Sequence, residues 1–422
     1  MPVHSVAHYV WIELCVVAVA LLAARWKSWQ TWMAEIEARL SPFYRHPYLS
    51  FFAILAVAIL LRLALLPVEQ IPHPLYHDEF SYLLAGDTFS LGRLTNPQPP
   101  VPSAFESIHI NLWPTYQSMY MPGTGLLLAL GELIGSPWVA VLLVTSLFCA
   151  AVYWMVSGWL PRGYALAAGL VSLAICANFN WWFDNYFCVA LPALGGALVL
   201  GSLPRIESRR DLASTFFLGL GLVILILTRP YEGFCVSFPC VLVLLWKLRP
   251  AGWKKILSLS ALPGAMICLT FAWLLYYNWR GTGHALLFPY MLNYRDYHIT
   301  GPFLFSRVKS VPTYDHRSMR DFYTRWELNQ YHYVVAHPVS FFLRKARVYY
   351  HVFVSGFGFL LLLGVAFLLR RSSKGLSLAP LLALAGFCVQ LVLEAWAPFP
   401  QYAAPAAPVF FLLIAYGIFQ LR

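Results

Sequence analysis

Residues 75–82 read LYHDEFSY: Asp78 and Glu79 are adjacent, with His77 beside them, just beyond an apolar run that ends near Val68. Carboxylates at the mouth of a hydrophobic segment are costly unless they cap, pair or react. That apolar run is one of many. Segments of about 17–25 apolar residues, long enough to cross a bilayer core, recur along the chain.

Composition agrees. The 422 residues are 60% hydrophobic, 17% aromatic and only 11% charged, where soluble domains carry about a quarter charged residues. The predicted class is an all-α polytopic membrane protein, since the alternation of an outer-membrane barrel is missing. The formal charge of +11 sits mainly in short inter-helix loops, so it points to membrane orientation and not to nucleic acid. All eight cysteines fall in apolar runs with no CxxC, as small core residues do. The N-terminus lacks a basic region and a cleavage site, so Tyr9–Ala24 reads as a retained span.

Eleven spans are expected, near 8–24, 49–67, 137–157, 163–178, 187–203, 213–228, 234–248, 257–277, 351–370, 376–395 and 402–420. Segment 122–134, PGTGLLLALGELI, is short and carries Glu132; it either crosses or lies along the interface. If it does not cross, Arg25, Arg45, Arg162, Arg205, Arg209, Lys247, Lys254, Lys255, Arg370 and Lys374 share one side. The positive-inside rule favours that layout, with a cytoplasmic C-terminus. An N-terminal span and cytoplasmic amphipathic helix (1–48, with Trp26, Trp29, Trp32 and Met33 towards lipid) then precede a transmembrane core at 49–277. The core contains an acidic first outer loop, 68–136; a second long outer loop, 278–350, and C-terminal helices, 351–422, follow.

Candidate chemistry therefore faces outward. Helix neighbours point about 100° apart, so Asp78 and Glu79 would serve different partners. One could take a proton while the other holds a metal or a sugar hydroxyl; alternatively the pair is an N-cap with an acidic first turn, a role that suits Asp78. Arg62, near the outer end of its span, either binds phosphate or snorkels. Arg229, Tyr231 and Glu232 of LTRPYEG (227–233) face an outer crevice, although Arg229 and Glu232 could simply pair. Arg280 of YYNWRGTG (276–283) offers a phosphate fork or a turn anchor. Asp315, His316, Asp321 and Glu327 are too scattered in sequence to read as a metal site. No Walker loop, strand–GxGxxG–helix unit, HExxH or DxD is present, so a transferase would need a donor already in or beyond the membrane.

The segments LLRLALL (60–66), HDEFSYLLAGDTFSLGRLTNP (77–97), FESIHI (105–110), PTYQSMYMPGTGLLLALG (114–131), LTRPYEGF (227–234) and QYAAP (401–405) together resemble the GT-C membrane glycosyltransferases. Within these the sequence is similar to the branch of protein O-mannosyltransferases, the lipid A aminoarabinose transferase and RgtA/B/C/D-like proteins. The chain departs from them in its extra N-terminal span and in Gln401 where His would precede Tyr402. The resemblance implies inverting transfer of a sugar from a polyprenyl-phosphate donor to a lipid, glycan or protein acceptor at the outer face of a bacterial cytoplasmic membrane. It implies Asp78 and Glu79 as catalytic carboxylates and Arg62, Arg229 and Arg280 on the donor phosphate. His77, Tyr82, Glu106, His109, Tyr231 and Tyr402 would bind substrate. Glu79 and His77 would hold a divalent cation (Mg, Mn or Zn), as some relatives do.

Two rival readings stand beside it. A transporter or flippase would place ionisable residues at the midplane and repeat its halves. An O-antigen ligase or polymerase would rely on Arg317, Arg320 and His316 of the long loop.

Overall fold

The computed structural model describes residues 14–15, 17–18, 29–177, 181–354, 356–371 and 378–421. The expected span at 8–24 lies outside them except for four helical positions. Arg25, Trp26, Lys374 and the side chains of Trp29, Trp32 and Met33 also lie outside.

Among the described residues the regular structure is helical apart from one hairpin of two-residue strands. Helix α1 (Trp29–Arg45) leads into α2 (Pro47–Ala64) and then the short α3 (His77–Ser90). Strands β1 (Ile110–Asn111) and β2 (Gln117–Ser118) pair antiparallel, Ile110 opposite Ser118. Next come α4 (Pro122–Leu133), α5 (Pro137–Val156), α6 (Arg162–Cys176), α7 (Ala190–Arg209) and α8 (Leu212–Thr228). Helices α9 (Pro230–Leu248) and α10 (Trp253–Thr282) follow, then α11 (Pro289–Asp296) and α12 (Arg317–Asp321). After α13 (Leu328–Ala336) the chain ends with α14 (Pro338–Phe353), α15 (Gly358–Arg371), α16 (Leu378–Leu393) and α17 (Ala407–Gln420).

By length and composition, four described helices can cross a membrane, at Pro47–Ala64, Pro137–Val156, Pro230–Ala251 and Trp253–Thr282. Shorter apolar helices stand at Arg162–Cys176, Leu212–Thr228, Leu378–Leu393 and Ala404–Gln420. Helix α5 is central and α10 peripheral: 78% of the most apolar window is buried in α5 and 11% in α10. An apolar side chain facing hydrocarbon loses nothing by exposure, so the outer surface of α10 can stay as greasy as the interior.

The chain breaks inside the span expected at 351–370. Helix α14 stops at Phe353, Gly356 has φ +86°, and α15 starts only at Gly358. A positive φ is inexpensive for glycine, and the run VSGFGF hides the bend from hydropathy because only Ser355 interrupts its apolar residues.

Close backbone contact holds the C-terminal helices together. A methyl group at Gly364 of α15 would collide with the Leu413 carbonyl of α17, and one at Gly417 with the Leu360 carbonyl. Small residues permit this approach where hydrophobic burial gives no drive between helices. Helix α4 lies along α3 in the same way, since a Cβ at Gly125 would stand 2.6 Å from that of Ala85. With 12 residues, α4 is about 18 Å long, short of a bilayer core of about 30 Å.

Candidate active site

The acidic pair divides at the start of α3. Glu79 is the third residue of the helix, and its Oε2 accepts from the amides of Leu75 (2.9 Å) and Tyr76 (3.1 Å). Its Oε1 accepts from Tyr186 N at 2.9 Å, tying the helix to the turn that precedes α7. Both carboxylate oxygens are thus occupied, and the residue is 2% exposed. The carboxylate that caps the helix is Glu79, whereas the sequence pattern assigns that role to Asp78.

Asp78, one position earlier, points into a cavity of about 360 Å³. Tyr120 Oη donates to its Oδ1, and His109 Nδ1 stands 3.5 Å from its Oδ2. Tyr120 Oη also lies 3.1 Å from His109 Nδ1. Burial alone would raise the Asp78 pKa; the His109 charge and the hydrogen bonds from His109 and Tyr120 outweigh it and hold the carboxyl below its ordinary value. Burial pushes the Tyr120 hydroxyl well up, so it remains a donor. His77 also borders the cavity, and burial followed by the nearby His109 lowers its pKa.

His109 sits here on unusual backbone, with φ +64°. Two hydrogen bonds to its carbonyl, from Ser81 Oγ (2.7 Å) and Met119 N (3.1 Å), fix that conformation. Left-handed backbone in a non-glycine residue persists only when its surroundings enforce it, and it concentrates at functional sites.

A stack of aromatic rings connects Asp78 to a buried cation. Tyr120 lies on Tyr82 with centroids 4.3 Å apart, and Arg229 Nη2 donates to Tyr82 Oη at 3.0 Å. The Arg229 guanidinium sits 4.8 Å over the Tyr402 ring, and Tyr402 lines the cavity. Arg229 also stands 3.7 Å from Glu232, so the local pairing expected from LTRPYEG and the approach to the cavity coexist.

The other two cations lie elsewhere. Arg62 is 2% exposed and donates to Glu69 O (2.9 Å), Gln70 O (3.3 Å) and Asp184 Oδ1 (2.9 Å), above the Trp138 ring. Arg280 is exposed near the end of α10, where Gly281 makes room for the Gln117 side chain and Gly283 (φ +78°) ends the helix. Tyr231 packs edge-on against Phe303 at 5.1 Å, outside the cavity lining. Glu106 Oε2 accepts from the amides of Asp315 and His316, both at 2.8 Å, so it joins segment 68–136 to segment 278–350.

Segment 278–350 supplies cavity residues that the sequence reading passes over. Tyr294 stacks on His298 with centroids 3.8 Å apart, and His298 lies parallel to His109 at 6.4 Å. Glu327, which accepts from Thr300 N at 2.9 Å, brings Oε2 to 3.1 Å from His298 Nδ1. Burial lowers the His298 pKa and Glu327 opposes it, leaving the net shift downward. Tyr290, Trp326, Trp396 and Phe399 complete the aromatic walls.

The donor set named for a cation does not converge. Glu79 spends both oxygens on amides while His77 faces the cavity. Among the described residues no group of three or more His, Cys, Asp or Glu could hold a metal ion.

No protein-family model matches the sequence, and no curated protein matches it. In three dimensions the chain is similar to the Archaeoglobus fulgidus oligosaccharyltransferase, solved with a tethered acceptor peptide containing the NVT sequon. The TM-score is 0.50 at 12% sequence identity, covering 86% of this chain and 49% of that one. The fold is GT-C-like. This chain spans about half the length of that enzyme. The GT-C-like architecture expected from the first acidic segment is therefore present.

Proposed function

We propose that this protein is a GT-C-type glycosyltransferase that moves a sugar from a polyprenyl-phosphate donor to an acceptor hydroxyl, with inversion at the anomeric carbon. One observation carries the reading: Asp78, accepting from Tyr120, opens onto an aromatic cavity, and Arg229 lies behind that wall beyond Tyr120 and Tyr82. Aromatic faces suit sugar rings, and the GT-C-like fold supports the same class of chemistry.

In this scheme the acceptor hydroxyl attacks the anomeric carbon as Asp78 takes its proton. The bond from that carbon to the phosphate oxygen breaks, and the electron pair leaves with the lipid phosphate. A carboxylate base in hydrogen-bond reach contributes about 10²–10⁴-fold. The Arg229 charge stabilises the departing phosphate, whose charge rises as the bond breaks. Single displacement is favoured because a double displacement needs a carboxylate nucleophile as well as an acid–base. The neighbouring Glu79 is unavailable for that second role, since three amides occupy it.

The donor's prenyl chain places the reaction at a membrane surface, with a lipid, glycan or protein acceptor. Arg205, Arg209, Lys247 and Lys254 cluster on helix ends remote from the cavity, which supports an outward-facing site in a bacterial cytoplasmic membrane. A divalent cation takes part in no step here.

The test is transfer by the purified full chain from a panel of polyprenyl-phosphate sugars, with Asp78→Asn alongside. Transfer by the wild type and its loss in the variant are expected. Equal turnover in the two would remove Asp78 from the reaction.

A further inference from the structure

At the end of the bundle away from Asp78, helices α2, α5, α7 and α8 leave a second cleft of about 760 Å³ between them. Its walls are apolar, from Phe51 of α2 through Leu147 of α5 to Leu198 of α7 and Ile224 of α8. Phe52, also on the lining, is exposed, so the slot opens sideways onto the surface that hydrocarbon would cover in a membrane.

The mouth has a different character. Arg162, Arg205 and Arg209 border it, with Asp211 as the opposing charge. Asp211 is engaged as the N-cap of α8, accepting from Ser214 N at 2.7 Å. Arg205 turns inward and donates to Gly201 O (2.6 Å), Trp154 O (2.6 Å) and Ser157 Oγ (2.9 Å). Arg162 and Arg209 are exposed, and Arg162 donates to the Arg45 carbonyl at 3.1 Å. The nearby Glu207 pairs with Lys247 at 3.1 Å and does not offset the arginines.

A second observation points to a ligand. Tyr153 lines the same cleft, is 2% exposed, and its hydroxyl has no hydrogen-bond partner. Burying a hydroxyl unpaired is unfavourable, and such groups in folded proteins almost always have a partner. An apolar slot, an unpaired buried donor at its side and a cationic mouth match the three parts of a phospholipid in order.

We propose that this cleft binds one anionic phospholipid. An acyl chain fills the slot, the glycerol-ester end lies beside Tyr153, and the phosphate sits at Arg162 and Arg209. The volume lies within the range of about 300–1,000 Å³ usual for small-molecule sites. The position of the cleft does not depend on the transferase reading, and the two stand or fall separately.

The test is native mass spectrometry of the full chain after exchange into vesicles holding equal phosphatidylglycerol and phosphatidylcholine. One phosphatidylglycerol per chain should be retained, about tenfold or more in preference to phosphatidylcholine, as two surface arginines would give. Arg162→Glu with Arg209→Glu, both on the exposed rim, should abolish the preference, and Ile224→Trp should remove retention of either lipid by filling the slot. Excess inorganic phosphate should not displace the lipid. Equal retention of the two lipids by the wild type, a preference that survives the rim changes, retention unaltered in the filled variant, or displacement by phosphate would each overturn the proposal.

Discussion

Replacing Glu79 by glutamine keeps its size and removes one acceptor oxygen. In the native chain the carboxylate accepts three amide hydrogen bonds, two at Oε2 and one at Oε1. A glutamine can place its carbonyl on the Leu75 and Tyr76 side, but its NH₂ then meets the Tyr186 amide, donor against donor. Tyr186 is 5% exposed, so water cannot easily rescue that N–H. Losing a hydrogen bond to a charged group costs about 1.5–3 kcal/mol, and a stranded buried donor adds about 1–3 kcal/mol. A destabilisation of about 2–5 kcal/mol is expected, partly softened by movement of the Tyr186 turn. Thermal unfolding of the purified protein in detergent, followed by intrinsic fluorescence, should show a Tm lower by several degrees. Asp78→Asn is the control. It should melt near the wild type because Tyr120 can still donate to the remaining carbonyl, yet lose about 100-fold or more in transfer if Asp78 is the base. Should Glu79→Gln melt with the wild type, the amide cap is not what holds this helix in place.

Other outcomes follow from the same geometry. Tyr120→Phe removes one of the groups that lower the Asp78 pKa. Ionised Asp78 is needed, so activity should persist in the wild type until pH falls below the ordinary carboxylate range, and the acid limb of the pH–rate profile should move upward in the variant. Arg229→Ala leaves Glu232, 6% exposed, without its cation; breaking such a buried pair costs about 3–5 kcal/mol, visible as a lower Tm, whereas Arg229→Lys should retain stability better and still lose turnover. Gly417→Ala should lower Tm as well, because the new methyl group meets the Leu360 carbonyl and the helices α15 and α17 must separate.

Much of the architecture is legible in the sequence because hydrophobic length is a local property. The apolar runs mark α2, α5, α6, α8, α9 and α10 to within about five residues, α7 continues past its run at 187–203 to Arg209, and the short Gly-rich PGTG segment marks α4. The break at Gly356 is not legible, since bend and helix share one apolar composition. Within the site, the 100° turn between the adjacent carboxylates sends them to different partners, Tyr120 and His109 for Asp78 and three backbone amides for Glu79. Which residue caps is harder to see: a capping box is recognised by Ser or Thr at the N-cap, and here Tyr76 occupies that position. Tyr120, Tyr294 and His298 carry no signal at all. They are aromatic residues in the segments between apolar runs, where such side chains ordinarily read as interfacial anchors, and only tertiary packing brings them beside Asp78.

The paired grip of Glu106 on the backbone at positions 315 and 316 limits how the cavity can be filled. The long segment over Asp78 cannot swing clear like a hinged cover without tearing two bonds from a single oxygen. One carboxylate thus latches the roof of the cavity, and replacing it with an apolar side chain would release both stretches of chain at once.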